Sequence, residues 1–220
     1  MSDTSRFQLH VITDGKRDAR ELHEVVAEAV RGGADVIQLR YKSAPALDLF
    51  HLGQTILPTI REANAHLLIN DRVDVALALG ASGVHLAAKS LPVDSVRPMF
   101  RAHGSDCQWV GCSVHSVEEA LLAEEKGASY ITYGHVFTTT SKPGLPPRGL
   151  DALQQVVDVV QIPVLAIGGI TVDNIDEVLA TGVAGIAVIG AVMGQAAPAA
   201  AARELKAKMD ASPHRPRHSL

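Results

Sequence analysis

The stretch Tyr133–Gly144, YGHVFTTTSKPG, concentrates groups that could bind a phosphate and move a proton. It combines His135 with a row of hydroxyl side chains ending at Ser141 and with the ammonium group of Lys142. Hydroxyl and ammonium groups donate hydrogen bonds to phosphate oxygens, and an imidazole gains and loses a proton near neutral pH. The stretch therefore predicts a site for a phosphorylated ligand, with a histidine close to it.

The elements that must position these groups follow a repeating pattern. Short apolar runs alternate with helical segments along the chain: QLHVIT, DVIQLR, HLLIN, GVHLA, WVGCS, YITYG, PVLAIGG and AGIAVIG. Several runs are almost continuously apolar, which is typical of strands covered on both faces, and the segments between them end at or near glycine. Eight strand–helix units in 220 residues predict an α/β fold, a (βα)8 TIM barrel. The strand count argues against an open doubly wound sheet.

A barrel predicts where the chemistry lies, because active sites of this fold use the loops that follow the strands. We expect one domain over residues 1–220, with a loose tail from about residue 210, where the sequence becomes polar. The polar residues predicted at the mouth after the second, third and fifth strands are Gln38, Arg40, Lys42, Asn70, Asp71, Ser113, His115 and Ser116. Asp71 could equally cap the following helix, and His85 is predicted only to shape the mouth.

The loops after the seventh and eighth strands have the composition of a phosphate site. Gly168 and Gly169 follow the seventh strand, and Ile189 and Gly190 follow the eighth. Backbone N–H groups of these two loops commonly bind phosphate in barrels, although a glycine pair can also simply make a tight turn. Because the sixth strand neighbours the seventh, three side chains are predicted to close over the same anion: Thr139, Ser141 and Lys142.

Composition excludes several classes of protein. The net charge is −4 with both signs interspersed, which gives no electrostatic reason to expect binding to nucleic acid or to an anionic membrane. No apolar run approaches the roughly 18 residues of a membrane helix, and the start lacks the pattern of a signal peptide. We therefore expect a cytoplasmic protein in which Cys107 and Cys112 are reduced thiols that do not by themselves hold a metal.

Five segments in matching order resemble thiamine phosphate synthase and its relative, the TenI family of thiazole tautomerases. They are QLRYK, INDRVDVALALGASGVHL, GCSVHSVEEALLAEEKGASYITYGHVF, IPVLAIGGIT and AGIAVIGAV, and together they extend over nearly the whole chain. Synthases of this superfamily hold magnesium with one aspartate in the third-strand motif and another after the fourth strand. Here Asp71 matches the first, but Ser90 replaces the second and Lys89 adds positive charge beside it. A hard divalent cation prefers anionic oxygen ligands, so this departure weakens the expected metal site.

The segment GHVF, together with SVHS and the following K-x-G and R-G, resembles the TenI pattern instead. This resemblance implies a metal-independent isomerase without a cofactor, in which a proton shift makes a carboxythiazole phosphate aromatic. It implies that His115 is the acid–base residue and that His135 orients it or assists the second transfer. Five further residues are then expected to bind the substrate: Gln38, Arg40, Lys42, Asn70 and Ser113.

Two alternatives remain open from the sequence. Gln38, Arg40, Lys42, Asn70 and Asp71 also fit the synthase pattern, which would make the protein a magnesium-dependent transferase. A non-catalytic regulatory protein that binds a thiazole phosphate would use the same pocket. In each case the expected partner is a small phosphorylated thiazole, with no nucleic acid and no membrane, and a homodimer is a further possibility.

Overall fold

The eight apolar runs form the eight parallel strands of a closed barrel in the computed structural model, which describes residues 6–102 and 109–220. Each strand pairs with the next along the chain, and the eighth closes the barrel on the first. The prediction of a (βα)8 barrel is therefore confirmed. The strands are β1 Gln8–Ile12, β2 Val36–Leu39, β3 His66–Asn70, β4 Gly83–Leu86, β5 Trp109–Val114, β6 Tyr130–Gly134, β7 Val164–Ile167 and β8 Gly185–Val188.

Helices follow the strands and cover the barrel, as the sequence pattern predicts. Local signals begin and end several of them: Asp18 caps the first helix by accepting from two backbone N–H groups, and Gly80 ends the third in a left-handed conformation. The helices in the described residues are α1 Ala19–Arg31, α2 Ala46–Glu62, α3 Val73–Leu79, α4 Val93–Ala102, α5 Val117–Glu125, α6 Gly149–Val159, α7 Ile175–Ala180, α8 Gly190–Met193 and α9 Pro198–Ala211.

The barrel interior has an apolar lower layer and a polar upper layer. The lower layer is a small buried cluster: Val36, Leu68, Tyr130, Leu165 and Ala184. Two residues further along their strands, Gln38, Asn70 and Thr132 are buried polar groups. Since side chains two positions apart on a strand point to the same side, these polar groups lie above the apolar cluster, towards the carboxyl ends of the strands.

The carboxyl-terminal segment packs against the barrel, contrary to the expectation of a loose tail. Ser212 is buried, the Arg217 backbone N–H donates to Gly182 O at 2.9 Å, and Leu220 contacts the lower apolar cluster. These contacts join the segment to the end of the barrel opposite the polar layer. Among residues 6–102 and 109–220, no helix is both long and apolar enough to cross a membrane.

The thiol of Cys112 is free, as expected, and burial raises its pKa to about 11. This thiol is therefore protonated at neutral pH and is a poor nucleophile. The prediction for Cys107 lies outside the described residues.

Candidate active site

A line of hydrogen bonds joins the ends of β2 and β3 at the carboxyl mouth of the barrel. The buried Gln38 donates from Nε2 to Asn70 Oδ1 at 2.8 Å, and Asn70 donates from Nδ2 to Asp71 Oδ2 at 2.5 Å. Because a carboxylate only accepts hydrogen bonds, Asp71 fixes the orientation of the Asn70 amide, which in turn fixes the Gln38 amide. These three residues are therefore held as one oriented group.

The Asp71 carboxylate bridges the loops after β3 and β4. Its Oδ1 accepts hydrogen bonds from the Ala87 backbone N–H at 2.9 Å and from the Ser90 hydroxyl. The helix cap considered for Asp71 is not observed, since Arg72 precedes α3 and no side chain caps that helix. Asp71 also has a φ of 63°, which is uncommon for a residue other than glycine. Asp71 therefore joins the β3 and β4 loops at the mouth and does not cap α3.

Cationic side chains from two loops gather at this mouth. Arg40 and Lys42 follow β2, and Lys142 and Arg148 follow β6. Burial lowers the pKa of Lys142, and the charges of Arg148 and Lys42 lower it further, so these three cations lie within electrostatic reach of one another. Burial also lowers the pKa of Arg40, against which the charge of Asp71 acts. The concentrated positive charge favours a ligand that carries several negative charges.

His115 has both ring nitrogens engaged. Its Nδ1 lies 3.2 Å from Glu119 Oε2 and its Nε2 lies 3.2 Å from Lys142 Nζ. A carboxylate can only accept and an ammonium can only donate, so Nδ1 carries the proton and Nε2 accepts from Lys142. Burial, followed by the charge of Lys142, lowers the pKa of His115, which agrees with a neutral ring. The lone pair that an acid–base residue needs is occupied here, and the geometry instead makes His115 a support for Lys142.

The local sequence explains how His115 is held. Ser116 is the N-cap of α5 and accepts from the Glu119 backbone N–H at 3.2 Å, which is half of a capping box. The Glu119 carboxylate turns back and accepts from the His115 backbone N–H at 2.6 Å. The start of α5 therefore fixes the carboxylate that orients the imidazole.

His135 is buried in the turn after β6 and makes no hydrogen bond to His115. Its Nε2 lies 3.3 Å from Leu145 O, while its buried Nδ1 has no partner in the described residues. The peptide bond between Gly134 and His135 is cis. A Cβ on Gly168 would lie 2.3 Å from the His135 Cβ, so this glycine allows the two turns to touch. The expectation that His135 orients His115 is not met, and the residue packs the β6 loop against the β7 loop.

The predicted phosphate loops are neighbours in space. Gly168 and Gly169 both have positive φ. The Phe137 backbone N–H donates to Gly168 O at 3.0 Å, which attaches the loop with the hydroxyl side chains of residues 138–141, the hydroxyl-rich loop, to this turn. Gly190 is the first residue of α8, which no side chain caps, and the space where its Cβ would lie is open. The other residues predicted to bind phosphate lie on the same loops after β6 and β8: Thr139, Ser141, Lys142 and Ile189.

The interior below Ser113 holds two buried polar residues, His85 and Tyr130, whose pairing was not predicted from the sequence. His85 Nε2 lies 2.9 Å from Ser113 Oγ, and His85 Nδ1 lies 3.0 Å from the Tyr130 hydroxyl. Burial lowers the pKa of His85 to about 4, so the ring is neutral at physiological pH. His85 was expected only to shape the mouth, but it directly contacts a predicted substrate residue.

The structure thus brings most predicted site residues to one mouth and adds others. Sequence reasoning missed Arg148, Glu119 and Tyr130 as members of the site. The R-G pattern contains Arg148, and the S-x-x-E spacing of a capping box contains Glu119, so both had a local signal. Tyr130 had none, because it reads as an ordinary apolar strand residue.

The donor set can be tested against a magnesium ion. No group of three or more His, Cys, Asp or Glu side chains in the described part of the chain could hold a metal. Magnesium in phosphoryl sites, however, is usually held by one or two carboxylates together with substrate phosphates and water. Asp71 supplies one fixed carboxylate beside the cationic mouth, which fits an ion bound jointly by protein and a phosphorylated substrate.

Comparison with known proteins gives a consistent family. The model of the family TMP-TENI, thiamine monophosphate synthase, matches residues 9–192. A protein of Roseiflexus sp. (strain RS-1) named thiamine-phosphate synthase is 46% identical over 201 residues, which are 90% of this chain and 84% of that protein. A protein of the same name from Pyrococcus furiosus is 44% identical over 206 residues, covering 94% of this chain and 96% of its own.

Solved structures agree. The thiamine phosphate pyrophosphorylase of Pyrococcus furiosus superposes with a TM-score of 0.82 at 42% identity and covers 94% of this chain and 96% of its own. A 3-hexulose-6-phosphate synthase superposes with a TM-score of 0.70 at 20% identity and covers 92% of this chain and 100% of its own, which shows the fold alone.

These comparisons correct the functional prediction from the sequence. The GHVF and SVHS segments favoured a TenI tautomerase, an isomerase, whereas the relatives with the identities above carry the name of the synthase, a transferase. The physical argument for a proton carrier at His115 is also weakened, because Lys142 occupies its Nε2. The order of the motifs, the closed barrel and the family match over residues 9–192 lead to one conclusion: this chain belongs to the thiamine monophosphate synthase family.

Proposed function

We propose that this protein is a thiamine-phosphate synthase, a transferase that joins a pyrimidine diphosphate to a thiazole phosphate. The observation that carries the proposal is the set of cations from two loops at the mouth, of which Arg40 interacts with the Asp71 carboxylate and Lys142 interacts with Lys42 and Arg148. A diphosphate leaving group carries several negative charges and needs such an environment, whereas a proton shift within one ring does not. The names of the relatives at 42–46% identity support the same assignment.

In this reaction a carbon–oxygen bond to the diphosphate breaks and a bond between the two ring fragments forms. The electron pair of the broken bond leaves with the diphosphate oxygen. Lys142, Arg148 and Lys42 stabilise that developing charge, and His115 with Glu119 keeps Lys142 in place. Positive groups that are already oriented lower the barrier because they need not reorganise as charge develops.

The two phosphorylated ends of the substrates occupy different parts of the mouth. We assign the diphosphate to the cations and to the hydroxyl of Ser113, and the adjoining pyrimidine to Gln38 and Asn70, whose amide groups can bind a polar ring. The thiazole phosphate is assigned to the backbone of the β7 and β8 loops and to the hydroxyl-rich loop. The residues of that second site are Thr139, Ser141, Gly168, Gly169, Ile189 and Gly190.

Magnesium is the implied cofactor. Asp71 would hold it together with the diphosphate oxygens, and Asn70 would keep that carboxylate oriented. The bound ion supplies charge neutralisation for the departing diphosphate. Ser90 places a neutral hydroxyl beside Asp71 where a second carboxylate would otherwise stand, so a bound ion would take more of its ligands from the substrate.

The purified protein should convert the pyrimidine diphosphate and the thiazole phosphate into thiamine phosphate, with one diphosphate released for each product. A chelator should stop the reaction, and added magnesium should restore it. Chromatography of thiamine phosphate and a diphosphate assay measure the two products independently. The proposal is wrong if no thiamine phosphate forms above the rate without protein under magnesium.

The homodimer is a separate prediction that the proposed activity does not depend on. The homodimer considered from the sequence is measured by light scattering after size-exclusion chromatography of the pure chain. A mass of twice 23.3 kDa supports it, and a mass of 23.3 kDa contradicts it.

A further inference from the structure

A chain of three polar groups crosses the interior of the barrel below the mouth. Tyr130 of β6 contacts His85 of β4, and His85 contacts Ser113 of β5, at 3.0 Å and 2.9 Å. Tyr130 is fully buried and His85 is 4% exposed. A Cβ on Gly111 would lie 2.1 Å from the Tyr130 ring, so the absence of a side chain at that position lets the ring reach His85.

The burial of Tyr130 fixes the direction of these hydrogen bonds. Among the residues that the structure describes, His85 Nδ1 is the only hydrogen-bonding partner of the Tyr130 hydroxyl. A buried O–H without an acceptor is strongly disfavoured, so the hydroxyl donates to Nδ1. A neutral imidazole has one N–H, which must then be on Nε2 and donate to Ser113 Oγ. The hydroxyl hydrogen of Ser113 is left to donate elsewhere.

We propose that Tyr130 is a positioning residue, which holds His85 as its Nε2–H tautomer so that the Ser113 hydroxyl donates its hydrogen to the bound substrate. Ser113 pairs in register with the buried Thr132 of β6 and is the penultimate residue of β5, whose following loop carries His115. It therefore lies at the upper end of the interior, next to the cationic mouth. The assignment of a substrate to Ser113 rests on the proposed function, whereas the tautomer of His85 does not.

The reverse arrangement makes a different prediction. If Ser113 donated to Nε2, Nδ1–H would donate to Tyr130, and the Tyr130 hydrogen would then lack an acceptor among the residues that the structure describes. Ser113 would then offer only lone pairs to the substrate. An anionic oxygen at the mouth would be repelled by those lone pairs and would be attracted by the hydroxyl hydrogen. The direction of the hydrogen bonds among Tyr130, His85 and Ser113 thus decides whether Ser113 helps or hinders binding of an anion.

Nitrogen-15 NMR of histidine-labelled protein measures the tautomer without any ligand. His85 should show a protonated Nε2 and an unprotonated Nδ1 in the wild-type protein, and a His85→Gln sample identifies its signals. In Tyr130→Phe, which keeps the ring and removes the O–H, a substantial Nδ1–H population should appear. A wild-type Nδ1–H tautomer overturns the proposal, and that measurement decides the matter even if Tyr130→Phe fails to fold.

Binding of inorganic diphosphate and of the pyrimidine diphosphate, measured by calorimetry, tests the consequence for the site. Tyr130→Phe should weaken binding about tenfold, as expected for one misdirected hydrogen bond to a charged group. His85→Gln, whose amide can still donate to Ser113, should lose less affinity than His85→Leu. His66 offers a matched control, because its Nδ1 lies 3.2 Å from Ser82 Oγ at the start of β3, away from the mouth.

The outcomes separate the two proposals. If the His66→Gln control is unchanged and Tyr130→Phe changes both tautomer and diphosphate affinity, the positioning role is supported even in a protein that makes no thiamine phosphate. If Tyr130→Phe changes neither the tautomer nor the affinity, the positioning role is wrong even in an active synthase. A change in tautomer with unchanged affinity for both ligands also contradicts it, since Ser113 would then not donate to the substrate.

Discussion

Lys142→Ala tests whether the cations at the mouth bind the diphosphate. The Lys142 ammonium lies 3.2 Å from His115 Nε2 and close enough to Arg148 and Lys42 for their charges to lower its pKa. A hydrogen bond to a charged group contributes about 1.5–3 kcal/mol, or roughly 10- to 150-fold in affinity. Because Lys142 is partly exposed and its removal relieves repulsion in the free protein, the low end of this range, about tenfold for diphosphate, is expected.

The same substitution should change the protonation of His115. The neighbouring charge of Lys142 is one cause of the lowered pKa of His115, so that pKa should rise when the ammonium is removed. Calorimetry with inorganic diphosphate measures the first effect, and an NMR titration of the imidazole measures the second. Lys208→Ala, on the exposed face of α9, is the matched control and should change neither.

The result that refutes this reasoning is specific. If Lys142→Ala raises the pKa of His115 but leaves diphosphate affinity within twofold of the wild type, the contact with His115 is correct and the ligand role is wrong. If neither quantity changes, the position of Lys142 over His115 is wrong as well. A larger loss for inorganic diphosphate than for inorganic phosphate would agree with the assigned division of the mouth.

Three further predictions concern stability and the cofactor. Burial lowers the pKa of His10 from 6.5 to about 3, and the charges of His85 and His66 add to this shift. As the pH falls, His10 is therefore protonated first in the unfolded chain, so the free energy of unfolding should decrease below about pH 6.5, by about 2 kcal/mol at about pH 5. His10→Gln should remove much of that loss in urea unfolding followed by the fluorescence of the single tryptophan. Gly168→Ala should lower the melting temperature, because φ is 103° there and the new Cβ would lie 2.3 Å from the His135 Cβ. Gly190→Ala has open space for its Cβ, so it should fold normally and weaken only phosphate binding. Equal decreases in melting temperature for the two variants would contradict this prediction. Asp71→Asn should weaken magnesium binding in the presence of diphosphate, as measured by calorimetry, and unchanged binding would contradict the metal assignment.

Much of the fold could be predicted from the sequence because its signals are local. An apolar run of four to six residues and a glycine at the end of the next helix can be read within one strand–helix unit, and repetition of that unit gives the barrel. The same locality placed Gln38, Arg40, Asn70 and His115 at the mouth, since each directly follows or ends a predicted strand. Position along a strand therefore determined which residues reach the site.

The choice between synthase and tautomerase could not be made in the same way. Local segments around His115 and His135 pointed to one branch, while Gln38, Asn70 and Asp71 pointed to the other. Identity over nearly the whole chain favours the synthase, and the ring contacts of His115 weaken the chemical argument for the tautomerase. A histidine at a strand end predicts that an imidazole is present at the site, but the hydrogen-bonding partners of its two ring nitrogens determine which role it can have.

The sequence by itself determined the order of the elements, the closed barrel and the loops that carry polar groups, because those depend on patterns a few residues long. Only the tertiary structure decided which polar groups pair. Lys142 and His115 are 27 residues apart, and Tyr130 and His85 are 45 residues apart. The tail that packs against the lower cluster likewise carries no strong local signal. Such contacts arise when barrel closure sets the register between strands, and register is a property of the assembled sheet rather than of any one segment.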